Sequence, residues 1–367
     1  MSQEDLLQPV SIGPLTLRNR VAVAPMTRTS ALPDGRIGPL MTDYYAAFAR
    51  GGYGLVITEG TYTDLSFSQG YRNQPGIATQ AQAESWRPVV AAVKDAGAQI
   101  ILQLMHAGAL SQHNPYVVNT VGPSAIQPKG EQMSVYDGTG PYRSPQALSE
   151  REIGDVIATF VQSARRAEAA GFDGVEVHGA NGYLLDQFLT SYTNRRADRY
   201  GGNTAGRIRL TAEVCSAIRK ATGPAFTLGV RISQSKVNDF VHKWENGERD
   251  AEVVFTTLGH SGVDYVHTSE FEAWAPAFGT GPSLAALAKR HAGLPVIANG
   301  SLHNADQAAR MMAQRDADLI ALGRGALANS DWPHRLRDRV PFREFVPAII
   351  QPLATLENAQ AFFKAVA

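Results

Sequence analysis

The segment His178-Gly-Ala-Asn181-Gly-Tyr183 places two neutral hydrogen-bond donors and a phenol within six residues. It follows Gly171-Phe-Asp-Gly-Val-Glu-Val, so His178 ends an apolar run, and Asn181 and Tyr183 fall in the next loop or first helical turn. Donors from His178 and Asn181 that converge on one substrate oxygen would polarise a carbonyl, with Tyr183 nearby to supply a proton. A structural account fits equally: a helix-capping Asn, a core Tyr and a His with its hydrogen bonds satisfied. The residues alone leave the two even.

A second constellation comes late in the chain. Asn299-Gly300-Ser301 and Gly323-Arg324-Gly325 each follow a short apolar run. Glycine permits close backbone approach and Arg324 offers a charged fork, which together suit a phosphate. Tight turns with a surface arginine are the alternative, but position in the fold favours phosphate.

Apolar runs of strand length occur at Val21–Pro25, Leu55–Thr58, Ile100–Met105, Gly174–His178, Thr227–Ile232, Tyr265–Thr268, Val296–Ala298 and Leu319–Leu322. Short continuous runs suit strands buried on both faces of a parallel sheet. Helical periods separate them at Gln82–Ala96, Glu150–Ala170, Gly206–Thr222, Ala251–Ser261, Pro282–Ala292 and Asn304–Ala313. The clearest helix is capped by Ser149 with Glu152 three residues later, and Gly171 stops it. Eight strands alternating with helices predict a single α/β domain over residues 1–367, a (β/α)₈ TIM barrel. Spacing alone also allows an open doubly wound sheet. Long irregular stretches at Ser111–Pro145 and Ser233–Glu248 follow the third and fifth strands and predict active-site loops on the C-terminal face.

Residues just after each strand should face a ligand: Thr27, Glu59, Gly60, Gln103, His106, His178, Arg231, Ser269, Asn299, Gly300, Gly323 and Arg324. This set is rich in hydrogen-bonding groups and poor in metal-ligand character. Lys+Arg and Asp+Glu both total 34 in 367 residues, and that balance argues against a nucleic-acid binder. A single cysteine, Cys215, excludes an internal disulfide or a CxxC cluster framework and reads as a buried inert thiol. Met1 to Pro9 carries acids and no apolar signal core, and no run reaches about 18 apolar residues, so a cytoplasmic protein is expected.

These motifs, taken in order, resemble the old yellow enzyme family of ene reductases over nearly the whole chain. The resemblance rests on Asn19-Arg-Val-Ala-Val-Ala-Pro25-Met-Thr27, Ile57-Thr-Glu-Gly60, Gln103-Leu-Met-His-Ala-Gly108 and Pro123-Ser-Ala-Ile126. It continues through His178-Gly-Ala-Asn-Gly-Tyr-Leu-Leu-Asp-Gln-Phe188, Asn194-Arg-Arg-Ala-Asp198-Arg-Tyr200-Gly-Gly202 and Leu322-Gly-Arg324. It implies flavin mononucleotide (FMN) at the barrel mouth. Ala24, Pro25, Met26 and Thr27 would line one side of the ring, with Thr27 near the C4 carbonyl. Gly60 and Gln103 would meet the pyrimidine edge and Arg231 the N1/C2 side. Asn299, Gly300, Gly323 and Arg324 would hold the phosphate. NADPH or NADH would visit as reductant, and the partner would be a small-molecule activated alkene (enone, maleimide or nitroalkene). His178 and Asn181 would bind its oxygen and Tyr183 would protonate its α-carbon.

The chain departs from the family pattern at several points. Thr27 stands where some relatives have Cys, Met105 and Ala109 where Trp and Arg are frequent, Thr29 where one subgroup has Tyr, and Gly206 where Asn is common. The last reads as structural. A flavin-independent barrel lyase or isomerase acting on a phosphorylated substrate is the alternative function. It needs a strand-end Lys or carboxylate base, and only Glu59 and Glu270 qualify. A slow flavoprotein sensor is a third reading. The physiological alkene, the choice of nicotinamide cofactor and a homo-oligomeric state are left open.

Overall fold

The computed structural model describes residues 3–366; Met1, Ser2 and Ala367, the ends of the expected domain, lie outside them. The eight apolar runs all form strands: β1 Val21–Val23, β2 Leu55–Ile57, β3 Gln99–Met105, β4 Gly174–Asn181, β5 Thr227–Lys236, β6 Tyr265–Ser269, β7 Val296–Asn299 and β8 Leu319–Leu322. Each pairs in parallel with the next, and β8 pairs with β1 (Ala321 opposite Ala22), so the sheet closes. That closure decides for the barrel over the open sheet.

Alternation along each strand sorts the side chains. Val175, Val177, Leu228, Val230, Val266 and Ala298 belong to the cluster that packs the strands against the helices. Ala22, Leu55, Ile57, Ile101, Tyr265, Ile297 and Leu319 form a second buried cluster inside the barrel. The inward positions nearer the mouth are polar: Gln103, Glu176, His178, Arg231, His267 and Asn299 share the parity of that inner set. Below them, an antiparallel hairpin, Val10–Ile12 with Leu15–Leu17, adds Ile12 and Leu17 to the inner cluster and plugs the N-terminal end.

The helices are α1 Met41–Arg50, α2 Gln80–Asp95, α3 Glu150–Ala170, α4 Leu184–Leu189, α5 Thr204–Thr222, α6 Glu248–Gly259, α7 Leu284–Ala292, α8 Ala305–Ala313, α9 Arg324–Ala328, α10 Trp332–Asp338 and α11 Leu356–Ala365. The predicted capping box of α3 forms, Ser149 with Glu152, a contribution of about 1 kcal/mol. Helix α5 starts two residues earlier than its expected bound because Asn203 caps it, accepting the Gly206 N–H at 3.0 Å. A Cβ at Gly206 would stand 2.1 Å from the Gly201 carbonyl oxygen, which makes this departure structural. Cys215 is buried on α5, where burial pushes its thiol up to about 12 and leaves it unreactive. No helix among the described residues is long and apolar enough to cross a membrane.

Two loop expectations need revision. Strand β5 runs on past Ile232 to Lys236, with a register shift, so the polar, mostly buried residues after Ile232 are strand and not loop. The stretch after β3 is only partly irregular: Val121–Gly122 pairs with Gln146–Ala147, and Ser134–Tyr136 makes a short helical turn.

Candidate active site

A cavity of about 480 Å³ opens at the C-terminal mouth of the barrel. Its wall includes the residues that the family resemblance assigned to the site, Ala24, Pro25, Met26, Thr27, Gly60, Gln103, His178, Asn181, Tyr183, Arg231, Asn299, Gly300, Gly323 and Arg324, but not the strand-end candidates Glu59, His106 and Ser269. A larger cavity of about 950 Å³ lies outside the barrel, between α1, α9 and α11, and is mostly apolar. The smaller one is the candidate site because convergent polar groups, rather than volume, mark chemistry.

His178 sits on the inward face of β4 and is 3% exposed. Burial, with Arg231 adding to it, pushes its imidazole down to about 3, so it is neutral at physiological pH. Its Nδ1 has no hydrogen-bond partner among the described residues, and neither has Arg231 Nε. Both residues line the cavity, and each carries a buried polar atom that the described protein groups do not satisfy.

Asn181 ends β4 with φ +62°, a left-handed conformation that Asn tolerates better than most residues. Its N–H donates to Ser233 Oγ at 2.8 Å, fixing the turn. Tyr183, not Asn181, occupies the cap position of α4, which removes the helix-capping account of Asn181. The Tyr183 hydroxyl is 2.5 Å from that of Tyr71, and its ring centroid is 5.0 Å from that of His178. Burial raises the Tyr183 pKa well above the ordinary phenol, so it holds its proton.

The turn itself is pinned from below. Asp186 on α4 accepts the Gly182 N–H at 2.6 Å and the Lys236 ammonium on both oxygens at 2.8 Å. Lys236 also donates to the Gln234 carbonyl at 3.2 Å, and the side chains are 2% and 0% exposed. Lys236 is thus a strand-end lysine that sequence reading missed, and it is fully engaged. Asp186→Ala would leave that ammonium buried and unpaired, so urea unfolding should show a loss of about 3–5 kcal/mol.

On the barrel floor Arg231 donates to Ser269 Oγ at 2.9 Å and Asn299 Oδ1 at 2.8 Å, while Asn299 Nδ2 donates to the Ala321 carbonyl at 2.8 Å. The Asn299 side chain is therefore committed to holding Arg231, which leaves Gly300, Gly323 and Arg324 as the phosphate-facing candidates. Gly300 has φ +147°, and a Cβ there would come 2.3 Å from the Glu270 carbonyl oxygen, so only glycine fits. Arg324 lies 3.5 Å from Ser301 Oγ and over the Phe271 ring at 5.6 Å.

Beneath Arg231 is a polar layer that sequence reading did not single out. Glu176 accepts from Gln103 Nε2 at 2.8 Å and Tyr265 Oη at 3.1 Å, and lies 2.9 Å from His267 Nδ1. Burial opposes its charge, but His267, Arg231 and Gln103 outweigh that and hold it below the usual carboxylate range. It supplies a fixed negative partner under the cationic Arg231.

The roof comes from segments far apart in sequence. Met133 and Tyr136 of the long loop line the cavity with Ile350 and Ala354, and the Ala354 N–H donates to the Val135 carbonyl at 2.9 Å. Met105, at one of the departures, reaches the wall beside Gly60. Other strand-end candidates are occupied. His106 Nδ1 accepts the Gly108 N–H at 3.1 Å and its Nε2 faces Asp64 at 3.7 Å, which makes it structural. Glu270 pairs with Lys243 at 3.0 Å.

Residues 5–342 match the model of the NADH:flavin oxidoreductase / NADH oxidase family, and the chain belongs to this family, that of old yellow enzyme. It is 32% identical to the old yellow enzyme homologue from Zymomonas mobilis, with a TM-score of 0.87 over 97% of this chain and 98% of that one. To morphinone reductase, solved in complex with tetrahydroNAD, it is 34% identical, with a TM-score of 0.83 over 94% and 93%. It is also 32% identical to the NADH oxidase of Thermoanaerobacter brockii over 89% of this chain, but spans only half the length of that relative.

Proposed function

We propose that this chain is an FMN-dependent ene reductase. The observation that carries the reading is one cavity at the barrel mouth walled together by the buried Arg231, His178 and Tyr183 and by Asn181. Flavin would lie against Ala24, Pro25, Met26 and Thr27, with Gly60 and Gln103 at its pyrimidine edge and Arg231 on its N1/C2 side. Gly300, Gly323 and Arg324 would take the phosphate, with Asn299 acting through Arg231. Bound there, FMN would take two electrons from NADH or NADPH and pass hydride to the β-carbon of an alkene conjugated to an electron-withdrawing group.

The chain's own groups do the rest. His178 and Asn181 donate to the substrate oxygen and draw electron density from the double bond. Because His178 is neutral, it acts as a hydrogen-bond donor and not as a charged acid. Tyr183 gives its proton to the α-carbon, and Tyr71 is placed to donate to the phenolate left behind. The long loop and the Ile350–Ala354 segment would cover part of the mouth over a bound ring.

An isotope experiment tests the assignment. Reduction of 2-cyclohexenone with NADPH deuterated at its transferable position should place deuterium at the β-carbon. Deuterium at the α-carbon would contradict it. The lyase reading has no support from a free base: Glu59 and Lys236 are buried and engaged, and Glu270 is paired.

A further inference from the structure

Of the two strand-end acids that the proposed chemistry does not use, Glu270 is paired with Lys243 and Glu59 has no cationic side chain paired with it. Glu59 is 1% exposed and follows β2, next to Gly60. One carboxylate oxygen accepts the Arg28 N–H at 2.9 Å and the other the Tyr45 hydroxyl at 3.1 Å, with the Thr29 main chain also donating. In return Tyr45 Oη accepts the Glu59 N–H at 3.0 Å. This one side chain therefore ties the turn carrying Thr27 to the strand end carrying Gly60 and to α1. Thr27 and Gly60 both line the cavity, whereas Glu59 stands behind them.

Its electrostatic surroundings are few. Arg28 turns its guanidinium away, donating to the carbonyls of Ala354 at 3.1 Å and Thr355 at 3.0 Å and lying over the Tyr44 ring at 5.4 Å. Tyr44 and Tyr45 from α1 and Tyr136 from the long loop complete the titratable groups that face it. Burial dominates and pushes the Glu59 carboxyl up to about 7, although Arg28, Tyr45 and Thr29 pull the other way.

We propose that Glu59 is a positioning residue for the flavin, fixing Thr27 against Gly60 and tuning the reduction potential through the proton it holds or loses. The proposal rests on the FMN reading above. A buried negative charge behind the ring opposes the charge that reduced flavin acquires, and protonation removes that opposition. A merely structural carboxylate would not make the potential depend on pH in this way.

The test is the potential of the protein-bound flavin, measured from pH 6 to 8.5 in the wild type and in Glu59→Gln. At pH 8.5 the variant should favour two-electron reduction by about tenfold, close to 30 mV for this couple. By pH 6, where Glu59 itself is protonated, the two curves should meet. Tyr45→Phe removes a donor to the carboxylate, so its curve should turn at a higher pH than the wild type's. That variant decides the matter if Glu59→Gln does not fold. Curves that coincide throughout, or that differ by a constant, would overturn the role of Glu59 alone. A wild type that takes up no flavin would overturn the cofactor reading and this role with it.

Discussion

Tyr183→Phe should leave flavin reduction by NADPH within about twofold of wild type while slowing enone reduction by about 10²–10⁴-fold, the usual contribution of a positioned general acid. The separation follows from geometry. The hydroxyl lies 2.5 Å from that of Tyr71, and the ring it sits on is 5.0 Å from the His178 ring, on the side of the cavity where the alkene would sit. Burial keeps it protonated across the accessible pH range, so the wild-type rate should show no loss from Tyr183 ionisation up to about pH 9. The phenylalanine ring fills the same space against Tyr71 and Tyr142, so the fold should persist, with a loss of about 1–3 kcal/mol from the buried Tyr71 hydroxyl left without its partner. Stopped-flow traces of the two half-reactions would show the split, and equal losses in both would remove Tyr183 from the acid's role.

His178→Ala and Asn181→Ala should each lower enone reduction by about 10²–10³-fold, close to 3–4 kcal/mol per lost donor. A phenol added as a substrate mimic should bind correspondingly more weakly, because its oxygen would occupy the same position. Phenol affinity measured by the shift in the flavin spectrum is the check, and unchanged affinity would remove these residues from the pocket. The pKa of His178 adds a sign. Folded His178 stays neutral while the unfolded residue titrates near 6.5, so the unfolded chain binds the extra proton on acidification. The stability that His178 contributes is thus complete above about pH 6.5 and is lost progressively toward pH 3, the opposite of a histidine stabilised by its charge.

Most of the frame was legible because barrel strands buried on both faces leave an unmistakable trace of short apolar runs. Closure was not, since it is a pairing between β8 and β1, about 300 residues apart, that no local pattern encodes. The N-terminal hairpin escaped because its strands are three residues each. Glu176 and His267 did leave a signal: each is a charged or polar residue inside an apolar run, at the same alternate positions as His178 and Arg231. Reading that period of two would have found the floor of the site. Lys236 was hidden by a strand that continues through Ser-Gln-Ser, where inward polarity looks like a loop.

The residues that roof the cavity had no such trace. Met133, Tyr136, Ile350 and Ala354 come from two distant loops and meet only through the tertiary fold. Asn299 illustrates the limit differently: its position was legible, but its side chain is spent on Arg231 and Ala321. Sequence gives a residue's place on the barrel rim, whereas its hydrogen-bond partners decide its role.

The most direct test of the central claim is an anaerobic visible spectrum of the purified protein, taken before and after NADPH and again after 2-cyclohexenone. The account predicts a yellow flavin band that bleaches with NADPH and returns with the enone. A protein that stays colourless after incubation with FMN would contradict it.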